Sequence, residues 1–137
     1  MKSLLYRIYL FFWNLEYISI SSRLDKHTYG YATYPFITIN KRILRHEKLF
    51  HCTVNHERIH HAQQIELLFI PFIIWYYLEY GYHYLRTLDA DQAYRSIRFE
   101  RECFRNEKDL NYLSKRRPYN YLFPAKKTRK KRQRVVS

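Results

Sequence analysis

Twenty consecutive residues, Leu49 to Leu68 (LFHCTVNHERIHHAQQIELL), contain neither Gly nor Pro and are rich in helix formers. The whole chain has only 2 Gly and 4 Pro in 137 residues, so each natural breaking point counts. A run of this kind predicts a helix from about Leu49 onward. It passes into LFIPFIIWYYLEYGYHYL, Leu68 to Leu85. There Pro71 is expected to break or kink the helix, because it lacks an N–H and crowds the preceding turn. A third helix is expected from about Asp89 to Leu113, with Asp89 or Asp91 capping its N-terminus.

The segment ahead of these helices is different. From Ser3 to Ser22, Leu4, Leu5, Ile8, Phe11, Phe12 and Leu15 fit one face of a helix. That helix belongs either in the core or at a membrane interface, where Tyr6, Tyr9 and Trp13 would suit the boundary. A secretory signal fits poorly, since Arg7 interrupts the apolar run and no small-residue cleavage site follows. His27 to Leu44 is rich in Tyr, Thr and Ile, which favour strands. A short strand is expected over Tyr34–Asn40, with Ile37 and Ile39 on one side and Phe36 and Thr38 on the other. Pro35 suits the start of that strand or a sheet edge. The ordered pattern ends near Pro118. The fold class expected is mainly α with a small β element (α+β), as a single domain over residues 1–124 followed by a basic tail, 125–137.

Composition supports a packed domain. The 26 aromatics can build a core, and two Cys cannot make a disulfide framework. A mean hydropathy of −0.58 argues against a protein with several membrane spans. Net charge is +13, and the last 13 residues hold seven Lys or Arg and no acid. Such a tail attracts anionic lipid or nucleic acid without specificity.

The chemistry concentrates in His56, Glu57, Arg58, Ile59 and His60, which read HERIH, a match to HExxH. On a helix, residues four apart share a face, so His56 and His60 can bind one Zn²⁺. Glu57 then stands beside the metal as the group that takes a proton from water. Three protein ligands and one open position make the catalytic form of such a site.

These residues resemble the active-site helix of the zinc metallopeptidases called zincins. Thr53, Val54, Ile59 and Ala62 fit the wider pattern, whereas Arg58 departs from it, because the positions between the Glu and the second His are usually uncharged. The resemblance spans about Thr53 to Glu107. The chain is also similar to small bacterial proteins with an "NHERIH…Q" helix and a later "FERE" helix. Gln63, Gln64 and Glu66 follow the motif, so no third His lies close behind it. This resembles gluzincins, in which the third ligand is a Glu on a separate downstream helix. The resemblance implies Glu100, in FERECF three residues before Cys103, with Glu102 as runner-up. Helical spacing independently sets Ala93, Ile97, Glu100, Phe104 and Glu107 on one stripe. The alternative is that both carboxylates are solvated partners of Arg98, Arg101 or Arg105.

Other candidates have simpler readings. Cys52 shares a face with the two histidines and reads as a small hydrophobe, as does Cys103, which is also an alternative ligand. His61 is turned about 100° from His60 and should miss the metal. His27, His46, His51 and His83 read as surface or hydrogen-bonded residues. A Tyr or His normally stabilises the oxyanion, but 15 Tyr leave that choice open. Leu67 to Leu78 lacks charge, yet at about 18 Å it is too short to span a bilayer. Residues 67–85 therefore suit either a buried helix or one lying at an interface, with Trp75, Tyr76, Tyr77, Tyr80, Tyr82 and Tyr84 as its belt.

Three functions follow as expectations. The first is a zinc metallopeptidase acting on a peptide or protein, with metal ligands His56, His60 and Glu100 and general base Glu57. The second is a non-catalytic zinc-stabilised scaffold at a membrane. The third, a nucleic-acid-binding protein, rests on charge alone. The expected location is cytoplasmic, peripheral at an anionic inner membrane face.

Overall fold

The computed structural model describes residues 15–123. Most of them are helical, with one small sheet, as the residue patterns predict. The sheet has strands β1 (Tyr17–Ser21), β2 (Gly30–Thr33) and β3 (Phe36–Asn40) in the order β1-β3-β2. β1 runs parallel to β3, pairing Ile18 with Ile37 and Ile20 with Ile39, while β2 runs antiparallel on the other side. The helix expected over Ser3–Ser22 is therefore corrected at its C-terminal end. The alternating Tyr-Ile-Ser-Ile-Ser at 17–21 pairs as a strand, and residues 3–14 lie outside the described residues. β3 is central rather than an edge, and Pro35 precedes it, where no ladder hydrogen bond is lost.

Ile37 and Ile39 are fully buried and pack with Ile43 and Val54. Side chains of this size contribute about 1.5–3 kcal/mol each when fully buried. Asn40 turns the chain from β3 toward the helices. Its Oδ1 accepts from the Arg42 backbone N–H at 3.1 Å, and its Nδ2 donates to the carbonyl of Thr28 at 2.8 Å. A 3-10 turn, Lys41–Ile43, then leads into α1 (Glu47–Leu67).

The break between the two long helices falls at Leu68, not at Pro71. Leu68 adopts φ 63°, ψ 150°, and α2 (Phe69–Thr87) starts directly after it. Pro71 then lies in the first turn of α2, where the missing N–H has no intrahelical acceptor to lose. The single helix expected over 89–113 is likewise divided. α3 (Ala90–Ser96) is capped by Asp89, whose carboxylate accepts from the Gln92 N–H at 3.0 Å. Extended backbone at Ile97 (ψ 131°) then separates it from α4 (Arg98–Asn106). The cause is visible at Glu79 of α2, whose carboxylate accepts the Arg98 N–H at 2.9 Å and also pairs with the Arg98 side chain. A carboxylate from another helix thus caps α4, and full burial of Ile97 fixes the corner. A short α5 (Tyr112–Lys115) follows. Order continues past Pro118: a 3-10 turn at Asn120–Leu122 buries Tyr121 against Phe99, Phe72 and Ile97.

Helix α1 lies between two apolar clusters. The sheet packs on one side through Val54, and α2 and α4 pack on the other through Phe72 and Phe99. Gly30 permits the close approach of β2 to α1, because a Cβ there would come within 3.1 Å of Thr53 Cγ2 and of the Thr38 carbonyl. The functional side chains lie between these two supports.

Candidate metal centre

Eleven of the 21 residues of α1 are buried, and eight of those are polar or charged: Thr53, Asn55, His56, Glu57, His60, His61, Gln63 and Gln64. Buried polar groups need partners, and here they find them mainly on α4. The Glu100 carboxylate lies between the two motif histidines, with Oε2 at 3.1 Å from His56 Nε2 and Oε1 at 3.1 Å from His60 Nε2. The far nitrogen of each ring is engaged as well. His56 Nδ1 stands 2.8 Å from Glu107 Oε2, and His60 Nδ1 stands 2.9 Å from Gln63 Oε1. With Nδ1–H donated outward, each imidazole presents Nε2 toward Glu100.

A further layer holds those partners. Gln63 Nε2 donates to Glu102 Oε2 at 2.9 Å and to the Phe99 carbonyl at 3.2 Å. Glu102 also accepts from Tyr112 Oη at 2.7 Å and from Arg116 Nε at 2.7 Å, and Arg116 pairs with Glu66. Asn55 Nδ2 donates to the carbonyls of Glu107 at 2.9 Å and Asp109 at 3.1 Å, tying α1 to the end of α4. Tyr76 of α2 donates its hydroxyl to Glu100 Oε1 at 2.8 Å, and Tyr94 of α3 lies near enough for burial and the Glu100 charge to push its phenol up.

Electrostatically the centre seeks positive charge. Burial opposes protonation of His56, but hydrogen bonds to Glu100 and Glu107 and the charges of Glu57 and Glu100 outweigh it, pushing its pKa up to about 10. His60 moves in the same direction, burial being outweighed mainly by Glu100. Burial would raise Glu100, yet the two imidazoles hold it well below the usual carboxylate range. Burial raises Glu57, against the opposing pull of His60 and His56. Two histidines among three carboxylates (57, 100 and 107) thus want a cation, and a divalent metal answers the same demand.

Two donor sets contain the histidines. His56, His60 and Cys103 bring ligand atoms within 4.8 Å of one another, compact enough to hold a metal ion. Glu100 meets the same two imidazoles through separate oxygens, one to each Nε2. The Cys103 sulfur is 3.6 Å from His60 Nδ1 and 3.7 Å from Nε2. That near-equal spacing sets it beside the ring rather than in line with the Nε2 lone pair. Burial also raises the Cys103 thiol, and the side chain packs with Ile59 and Tyr112. Glu100, by contrast, faces the Nε2 atom of each ring.

The remaining sequence candidates fall into place around this centre. Glu102 is not beside the imidazoles' Nε2 atoms but holds Gln63, Tyr112 and Arg116. His61 faces the sheet, 3.2 Å from the Phe36 carbonyl. Arg58 lies exposed on the opposite face of α1 and pairs with Glu16 at 2.8 Å, so its charge points away from the site. Cys52 is half-buried at the mouth rather than in the core. Glu107, Gln63, Tyr76 and Tyr94 were not anticipated as site residues. Glu107 had a signal, since it shares the helical stripe with Glu100, and Gln63 sits three residues after His60. The tyrosines had none that set them apart from the others.

The centre opens into a cleft of about 760 Å³, lined by β2 on one side and by α1, Tyr76, Tyr94 and Phe104 on the other. His56, His60, Glu57 and Glu100 all border it. Comparisons with protein-family models, curated proteins and solved structures find no match for this chain.

Proposed function

We propose that this chain is a zinc-dependent hydrolase of the gluzincin kind, acting on peptide bonds. The observation that carries the reading is the Glu100 carboxylate held 3.1 Å from the Nε2 atoms of both His56 and His60, on one wall of an open cleft. His56, His60 and Glu100 would hold the ion as a His₂Glu set. Zinc in such a site polarises a carbonyl and lowers the pKa of water in the open position to about 7.

Every other role falls to this chain's own residues. Glu107 and Gln63 keep the imidazole nitrogens oriented, and Tyr76 steadies the Glu100 carboxylate. Glu57 borders the cleft beside the ligands without sharing their direction, and burial raises its pKa. That suits a base which accepts a proton from the attacking water and returns it to the leaving amine. β2 supports a peptide as the substrate class, since it is an edge strand bordering the same cleft and an extended chain can add to such an edge. Gln64 steadies β2 over the cleft, donating to the Ala32 carbonyl at 3.0 Å and accepting from the Tyr34 N–H at 2.8 Å.

The test is a pair of measurements on purified protein. About one zinc per chain is expected, lost in His56→Ala and in His60→Ala. A peptide library should be cleaved by the wild type and not by Glu57→Gln, which keeps its zinc. Equal cleavage by Glu57→Gln would overturn the mechanism. A zinc-loaded wild type that cleaves nothing would favour the non-catalytic scaffold. For location, the basic tail supports peripheral attachment to an anionic membrane face. No helix among the described residues is long and apolar enough to cross a membrane.

A further inference from the structure

Helix α2 is built inside out for a helix surrounded by water. On the wheel, Ile70, Ile74, Tyr77, Leu78, Gly81 and Leu85 fall within an arc of about 100°, and none is charged. Surface helices of water-soluble proteins carry their charges on that outer arc. Here Ile70 is 69% exposed, Leu78 70%, Leu85 78%, and Leu88 just beyond the helix 77%. Nothing lies within 4 Å of the position a Cβ would take at Gly81, so the stripe runs past it into open space. The charged residues of α2, Glu79 and Arg86, lie on other sides of the helix, and Glu79 turns inward to pair with Arg98. One apolar face of a 19-residue helix, roughly 28 Å long, is thus uncovered among the described residues.

One flank of the stripe carries arginines. A groove beside it is formed by Ile74 and Leu78 together with exposed Arg101 and Arg105 of α4 and with Leu122 and Phe123. Phe123 is 61% exposed. From that point the chain continues into the stretch whose last 13 residues carry seven Lys or Arg. Apolar side chains, arginines and the root of a polycationic segment therefore share one side of the molecule. Tyr77, Tyr82 and Tyr84, all exposed on α2, add the ring chemistry of a headgroup boundary.

We propose that the outer face of α2 docks in the plane of an anionic lipid bilayer. Ile70, Ile74, Leu78 and Leu85 enter the acyl boundary, while Arg101, Arg105 and the basic tail bind headgroups. This deepens the peripheral-attachment reading and does not depend on the metal. Two other occupants fit an apolar face, namely a second copy of this chain or residues 1–14. Neither accounts for the arginines beside the stripe, because the net charge of +13 opposes self-association and residues 1–14 carry no acid.

The test uses the full chain and sedimentation with phosphatidylcholine vesicles, with and without phosphatidylglycerol. Wild type should bind the anionic vesicles in a salt-sensitive way and bind the neutral ones at least tenfold more weakly. Ile74→Glu/Leu78→Glu should lose at least tenfold in affinity for anionic vesicles while keeping its circular dichroism and its state of association. Leu85→Glu serves as the second variant if the double substitution fails to fold. Deleting Lys126 to Arg134 should weaken binding separately. No binding by wild type would overturn both the attachment and the docking face. Wild-type binding that the α2 variants retain in full would leave attachment to the tail and overturn the face alone. A wild-type dimer that becomes a monomer in the α2 variants, or a wild type that binds only after residues 1–14 are removed, would assign the face to one of the other occupants and overturn the proposal.

Discussion

Helices α1 and α2 are joined by a single residue and have nearly equal lengths, yet they bury opposite things. α1 buries His, Glu, Asn and Gln, while α2 buries Phe72 and exposes Ile, Leu and Tyr. In α1 the buried Asn55, His56, His60, His61, Gln63 and Gln64 each have a hydrogen-bond partner on α4, on the residues just after it or on the sheet segment, so most of the desolvation is answered residue by residue. In α2 the exposed apolar groups have no such answer within the described residues. The difference teaches that polarity alone does not tell which side of a helix faces in. A polar interior marks chemistry held in place, and an apolar exterior marks a missing neighbour.

The comparison can be broken most severely at Arg116. Its side chain is almost fully buried between Glu66 and Glu102 and is the only cation paired with either carboxylate among the described residues. Arg116→Ala would leave two buried carboxylates uncompensated, at a cost of about 3–5 kcal/mol. Urea denaturation should show that loss. A cost under about 1 kcal/mol would mean the polar interior is more hydrated than the contacts imply. Gln63→Ala comes next. It removes the partner of His60 Nδ1 and one donor to Glu102. Zinc affinity should fall roughly 10–100-fold, as for other residues that orient metal ligands. Competitive titration with a zinc chelator reads this directly, and an unchanged affinity would show that His60 needs no such hold. The smallest effect is expected on α2. Leu85→Gln, at an exposed position, should change folding stability in solution by no more than about 0.5 kcal/mol. A loss of 2 kcal/mol would show that the face is covered within the folded chain.

Much of this arrangement was legible in the residues, for specific reasons. His56 and His60 were readable as a pair because four-residue spacing on a helix is a local property, whereas Glu100 was singled out by the gluzincin-like FERECF segment, and the stripe expected to join it to Ile97 is interrupted where the chain turns at Ile97. The sheet was legible at Ile37 and Ile39 through their alternation. The helix ends were less so. Leu68 breaks the long helix with a positive φ that no Gly announces, and Ile97 breaks the next because Glu79, 18 residues earlier, caps α4. Tyr76 and Tyr94 approach Glu100 only through the packing of three helices. Arg58, which departs from the zincin pattern that the helix resembles, pairs with Glu16, a partner 42 residues away that no local pattern could reveal.

The central claim is the ligand set, and X-ray absorption at the zinc edge of the metal-loaded protein tests it most directly. The account predicts a first shell of nitrogen and oxygen at about 2.0–2.2 Å with two imidazole signatures and no sulfur, unchanged in Cys103→Ser and lost in Glu100→Gln. A sulfur scatterer at about 2.3 Å that disappears in Cys103→Ser would contradict it and assign the third ligand to Cys103.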